Sequence, residues 1–289
     1  MNVLIGTSGF KYDDWRPSFY PLGLKESEFL HYYGRRFPTV EINYTYYTMP
    51  SAKTLATLVN RTKPDFKFSV KTHKSMTHDI LEGSSLQNPG SDIKGVFEKF
   101  KGALEPLISS GKLGCVLAQF PWRFKPSKES FDYIRVVRDM LEGLPLVIEF
   151  RSNWWVKQET FDFLKREGLG FCCVDEPRLK GLMPPVASVT SSIAYVRFHG
   201  RNKEKWYAHE TVSERYDYLY SEEELAEWVP KIRTMSQQAK ETYIFFNNCH
   251  AGYAPTNALM LMEMLGLSSV KEASDLSEGK GFFQCSTHG

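Results

Sequence analysis

The sequence predicts an α/β protein folded as a (β/α)8 TIM barrel, a single domain over residues 1–289. Three observations carry that expectation. Eight short apolar, β-branched or aromatic runs recur along the chain, segments of helical spacing lie between most of them, and no domain linker interrupts the series. The length is also close to the ~250 residues usual for this architecture. An open doubly wound sheet would satisfy the same alternation, but a count of eight favours closure.

The strands are expected at NVLIG (2–6), TVEIN (39–43), FKFSV (66–70), LGCVLAQF (113–120), PLVIEF (145–150), GFCCV (170–174), AYVRF (194–198) and TYIFF (242–246). Among the helices, 25–37 places Phe29, Tyr32, Tyr33 and Phe37 near one face. Segments 51–62 and 127–141 open on Ser51 and Ser127, each after a proline and each suited to cap a first turn. In 221–232, Ser221 and Glu224 have capping-box spacing. Segment 257–266 ends on Gly266, a residue type that accepts the left-handed conformation after a helix. The stretch 175–193, with Pro177, Pro184 and Pro185, reads as a long loop after the sixth strand.

Composition sets outer bounds. Hydrophobic residues make up 42% and charged residues 24%, an ordinary globular balance with a substantial core. A net charge of +2 argues against a protein that coats nucleic acid by bulk charge. The 5 cysteines match no zinc or haem spacing, and adjacent Cys172 and Cys173 read as small hydrophobes. Reduced thiols, a first segment that enters a strand directly, and the lack of a membrane-length apolar run lead to an expectation of a cytoplasmic protein without a membrane partner.

Barrel active sites lie at the C-terminal ends of the strands. Those ends carry Thr7 and Ser8, Glu41 and Asn43, Lys71 and His73, Gln119, Glu149 and Arg151, Asp175, Arg197 and His199, and Asn247. Strand periodicity sharpens the set, because alternate side chains face the lumen. In PLVIEFR, Leu146, Ile148 and Phe150 should pack under helices while Val147, Glu149 and Arg151 point inward. By the same phase Tyr195, Arg197 and His199 face inward on the seventh strand, and Glu41 and Asn43 on the second. A purely structural ion-pair network filling the barrel is the plain alternative.

The candidate catalytic residues are therefore Glu41, Glu149, Asp175 and His199. Candidate ligand-binding residues are Asn43, Lys71, Gln119, Arg151, Arg197, Arg201 and Asn247, with Trp15, Tyr47, Trp155 and Trp206 as loop aromatics able to stack on a sugar or base. Loops after strands seven and eight often bind phosphate in such barrels. Here Arg197, Arg201 and a helix start near Pro255 suggest an anion site. A divalent metal on Glu41, Glu149, Asp175 and His199 is possible but not favoured, since Lys71, Arg151 and Arg197 would repel it. No P-loop, dinucleotide fingerprint or G-x-S-x-G elbow occurs.

Together these stretches resemble the YecE-like family, a group of TIM-barrel proteins classed as a domain of unknown function. The matching pieces are IGTSGFKYDDWRPSFYP (5–21), VEINYTYYTMP (40–50), VKTHKSMTH (70–78), QFPWRF (119–124), IEFRSNWW (148–155), YVRFHGRN (195–202) and FFNN with NALML (245–261). The resemblance implies the barrel and supplies no reaction. Relatives often carry a histidine directly after the EFR arginine, where this chain has Ser152.

The leading expectation is an enzyme that binds a phosphate-bearing sugar or nucleotide-like ligand at the mouth, its carboxylates and His199 serving as acid and base. One alternative is a nucleic-acid-binding protein or metal-assisted phosphodiesterase; another is a non-catalytic ligand sensor or scaffold.

Overall fold

The β-branched and aromatic runs form strands because they are apolar on both faces, the pattern of a parallel sheet covered by helices outside and side chains inside. The structure, a computed structural model, describes residues 2–83 and 93–267. Its strands are β1 Val3–Thr7, β2 Thr39–Ile42, β3 Lys67–Lys71, β4 Leu113–Gln119, β5 Leu146–Glu149, β6 Gly170–Asp175, β7 Ile193–Phe198 and β8 Glu241–Phe246. All pair in parallel in sequence order from β2 to β8, and β8 returns to β1. The last seam is joined by a bridge between Ser8 and Glu41, where Gly9 N–H donates to Glu41 O at 2.8 Å. The sheet is thus a nearly closed barrel, and the doubly wound alternative is set aside.

Local capping chemistry explains three of the helix starts. Ser51 Oγ accepts from Thr54 N–H at 3.2 Å and opens Ala52–Asn60; Ser127 Oγ accepts from Ser130 N–H at 3.2 Å and opens Lys128–Met140. The Ser221–Glu224 capping box forms, but the expected helix divides into Glu222–Ala226 and Val229–Gln238. Pro230 sits in the first turn of the second piece, where a missing N–H costs no helix bond. Segment 25–37 yields only the short helix Phe29–Tyr33 after a 3-10 turn, although Phe37 is still buried. The last helix begins earlier than expected, at Tyr253, and Gly266 follows it with φ 70°. Helix Gln158–Arg166 was not marked by sequence, and its N-cap Lys157 makes no side-chain cap bond that could have announced it.

The two faces of the barrel wall separate as alternation predicts. Phe150 stacks on Trp155 and Phe198 packs against Trp228 in the helix layer. On the lumen side, the Tyr195 hydroxyl lies 2.7 Å from Ser69 Oγ, and Cys115 Sγ reaches the same oxygen. Cys172 and Cys173 are both buried, one on each face. No helix among the described residues is long and apolar enough to cross a membrane.

Barrel closure leaves no room at Gly6. A Cβ there would lie far inside van der Waals contact with the Thr39 carbonyl oxygen and crowd the Tyr33 hydroxyl. Because backbone cannot rotate away, Gly6→Ala should separate β1 from β2. We expect a drop in melting temperature of several degrees, measurable by calorimetry; a variant as stable as the parent would contradict this closure.

Candidate functional site

Three strands deliver one connected charge cluster to the lumen. Arg197 on β7 donates from Nη2 to Glu41 Oε1 on β2 at 2.7 Å, and from Nη1 to Glu149 Oε2 on β5 at 2.6 Å. Glu41 also accepts from Ser8 Oγ at 2.7 Å and from the Tyr195 hydroxyl at 2.6 Å. These side chains are fully or almost fully buried. Charges withdrawn from water in this way require close partners, and here each carboxylate has several.

Above this floor lies a second layer. Arg151 Nε reaches Glu149 Oε1 at 2.8 Å and its Nη1 reaches Glu176 Oε2 at 3.0 Å. His199 Nε2 lies 3.1 Å from Glu149 Oε1, and its Nδ1 lies 3.1 Å from Asn247 Nδ2. Both contacts suit one neutral tautomer, with Nε2–H donating to the carboxylate and Nδ1 accepting from the amide. Burial, reinforced by Arg151 and Arg197, holds the imidazole well below its usual pKa despite the opposing pull of Glu149. Burial pushes Glu149 upward, but Arg197, Arg151 and His199 together keep its carboxyl well below the usual range.

The outermost layer is only partly buried. Lys71, on β3, donates from Nζ to Gln119 Oε1 at 2.8 Å and sits 4.4 Å from the centroid of the Tyr46 ring. Desolvation lowers its pKa to about 7, assisted by Arg197 and Arg151 and opposed by Glu149 and Glu41. His78, whose ring meets Tyr46 edge-on, is pushed down to about 3 by burial and by Lys71, Arg151 and Arg123. Asn43 follows β2 beside Lys71, since Ile42 pairs with Val70. Its Oδ1 is buried without a hydrogen-bond partner among the described residues, and its side chain makes no cap bond.

Several expected site residues belong elsewhere. Asp175 lies on the helix face of β6, where it accepts from Arg201 Nε and Nη2, each at 2.8 Å, from the Tyr220 hydroxyl at 2.9 Å and from Trp228 Nε1 at 2.8 Å. The phase of β6 puts Cys172 and Val174 inward and Asp175 outward; the inward carboxylate is the next residue, Glu176. Arg201 is further held by Glu227 and Glu224, so it does not stand ready for an anion. The donor at the turn before the last helix is also occupied: Ala251 N–H donates to Asp14 Oδ2 at 2.9 Å. The four carboxylate and imidazole groups considered for a metal therefore do not converge, because Asp175 points away.

Trp15 packs between Tyr12 and Tyr20 and donates from Nε1 to the Cys249 carbonyl. Trp155 stacks between Phe124 and Phe150, and Trp206 is buried near Tyr216 and Arg215. These three rings are structural. Tyr47 is open to solvent, as are Trp122, Trp154 and Tyr207. Ser152, in the place of the family histidine, accepts from Trp154 N–H and from Lys125 Nζ. A surface depression of about 480 Å³ lined by Arg138, Glu142, Leu146 and Glu167 lies at the opposite, N-terminal end of β5 and has no part in this cluster.

The family model described as "Protein of unknown function DUF72" matches residues 4–279. The chain belongs to the DUF72 family. It is 32% identical over 276 residues to the UPF0759 protein YunF of Bacillus subtilis (strain 168), covering 92% of this chain and 95% of that protein. A DUF72 protein of known structure from Thermotoga maritima MSB8 is 44% identical, with a TM-score of 0.83 over 92% of this chain and 100% of its own. Another, from Enterococcus faecalis V583, is 29% identical with a TM-score of 0.81, over 92% of this chain and 96% of its own. DUF72 membership accords with the expected barrel family of unknown function.

Within this DUF72 barrel, sequence reading missed Glu176, His78 and Tyr46 as neighbours of the cluster. Glu176 could have been found by carrying the phase of β6 one residue further, but that phase was hidden because both faces of GFCCV are apolar.

Two outcomes follow. Asp175→Ala takes from Arg201 its one buried carboxylate and removes the acceptor of Tyr220 and Trp228; loss of a buried ion-pair partner costs about 3–5 kcal/mol, to be read by chemical denaturation. The pH dependence of stability carries a Glu176 signature. Burial raises its pKa from 4.5 to about 7, against the pull of Arg151 and the Met183 N–H. The native state then binds the proton more tightly, so this residue's contribution is full below pH 4.5 and is lost as pH rises through about 7. Denaturation across that window should show Glu176→Gln lacking this component; an unchanged profile would refute it.

Proposed function

We propose that the protein is an enzyme that binds a small sugar-like molecule at the C-terminal mouth and transfers protons on it, with Lys71 as the acid–base group. The observation that supports this reading is the pairing of a partly exposed lysine, whose amine among the described residues bonds to a neutral amide, with the Oδ1 of Asn43 beside it, which has no hydrogen-bond partner among those residues. A buried acceptor without a partner calls for a donor from outside the protein, and a sugar hydroxyl supplies one. A group titrating near pH 7 combines availability with driving force for proton transfer. Asn247 and Gln119 add amide contacts, and exposed Tyr47, Trp122 and Trp154 offer faces for a pyranose or furanose ring.

The buried carboxylates take a supporting part in this scheme. Glu41 and Glu149 neutralise Arg197, and Glu149 fixes the tautomer of His199. Because Arg151, Arg197 and Arg201 are all held by internal carboxylates, a phosphate group is not required for recognition, and the sugar-like part of the ligand is favoured.

Thermal-shift titration with aldoses, ketoses, sugar alcohols and their phosphates tests the reading. At least one sugar should raise the melting temperature saturably, and Asn43→Ala should weaken that binding about tenfold, the scale of one lost hydrogen bond. Absence of a shift across the whole panel would count against it.

A further inference from the structure

We infer that Lys71 is a carbonyl-trapping amine: its Nζ forms a covalent iminium with the aldehyde or ketone carbon of an open-chain sugar bound at the mouth. This rests on the reading of the mouth as a sugar site and goes beyond proton transfer. The geometry carries it. Among the described residues, the two buried arginines of the cluster are each held by carboxylates, whereas Lys71 Nζ bonds to the uncharged Gln119 Oε1. It projects from the last residue of β3 toward the lumen, partly exposed, with the Tyr46 ring against it.

A lysine becomes nucleophilic when it is desolvated beside other cations, and burial, Arg197 and Arg151 bear on this amine while Glu149 and Glu41 pull the other way. An ordinary ion-paired lysine would be locked as ammonium. Here the neighbouring acceptor is an amide oxygen, which orients the amine without charging it.

The step balances with solvent alone. The neutral amine's lone pair forms the C–N bond, the carbonyl π pair moves to oxygen, and one amine proton passes to that oxygen to give the carbinolamine. The nitrogen lone pair then expels hydroxide, which takes a proton from solvent and leaves as water, so one amine, one carbonyl and one proton become one iminium and one water. The cationic nitrogen would draw electrons from the adjacent carbon and acidify its C–H bond, the activation needed for enolisation or carbon–carbon cleavage next to a carbonyl.

Reductive trapping tests the inference on the intact protein. D-glyceraldehyde or dihydroxyacetone is incubated at pH 7 with sodium cyanoborohydride, which delivers hydride to the iminium carbon and leaves a stable secondary amine. Peptide mass spectrometry then locates the adduct. Lys71 should be modified at least about tenfold faster than Lys53 and Lys203, whose side chains are exposed to water away from the mouth cluster. The Lys71→Met variant, checked for its melting temperature, should lose only that adduct. Labelling spread over exposed lysines with Lys71 at or below their level would overturn the inference. If Lys71 stays unlabelled while sugars still raise the melting temperature, the covalent step fails and the binding reading stands. If neither label nor shift occurs, both fail.

Discussion

One guanidinium, that of Arg197, spans the lumen and sets the electrical order of the whole mouth. Its two terminal nitrogens hold Glu41 and Glu149, so three strands, β2, β5 and β7, are tied across the barrel by one side chain. Through Glu41 the same cluster reaches the seam between β1 and β2. The backbone oxygen of Glu41 receives Gly9 N–H and its carboxylate receives Ser8 Oγ. Closing the barrel and neutralising its buried charges are therefore one arrangement. Removing Arg197 would leave two buried carboxylates without their shared cation, and removing the carboxylates would leave a buried guanidinium unpaired.

The layers above inherit the field of this floor. Glu149 is held low by Arg197, Arg151 and His199 and stays an acceptor, which places the His199 proton on Nε2, while burial and the two arginines keep that imidazole neutral. Arg151 is held between Glu149 and Glu176, and burial leaves Glu176 titrating near neutrality. Lys71, one step further out, feels both arginines but lacks a carboxylate within bonding distance among the described residues. Two of these groups, the partly exposed Lys71 and the wholly buried Glu176, change charge near pH 7, while Glu149 and His199 are each held in one state.

The sequence revealed the barrel almost strand for strand, because parallel strands buried on both faces leave short, concentrated apolar runs. It also revealed the inward phase wherever a strand carried a charge flanked by hydrophobes, as at Glu41, Glu149 and Arg197. It failed where that contrast was missing. In GFCCVDE either acidic residue could have faced the lumen, and only the packing of Trp228 and Tyr220 around Asp175 decides it. Adjacent tryptophans posed the same problem: Trp155 is wholly buried while Trp154 is 58% exposed, a choice made by the Phe124 and Phe150 rings far away in sequence. The lowered pKa of Lys71 was hidden for a similar reason, since it comes from burial and from arginines at the ends of β5 and β7 that no local pattern brings near.

Stability alone is a weak reason for such a lumen. A buried Arg–Glu pair or triad is often replaceable by hydrophobic residues of similar volume with no loss, or even a gain, in stability, and the rest of this wall is already apolar and well packed, as Val70, Leu117 and Val147 show. The charged floor also leaves Arg197 Nε buried without a partner among the described residues, a cost an apolar core would avoid. What hydrophobes could not reproduce is the potential at the mouth: a neutral imidazole, a carboxylate held ionised, and a lysine brought to about pKa 7. An arrangement that is expensive for folding and specific in its effect on the groups nearest solvent is the arrangement expected of a site whose use lies in those groups.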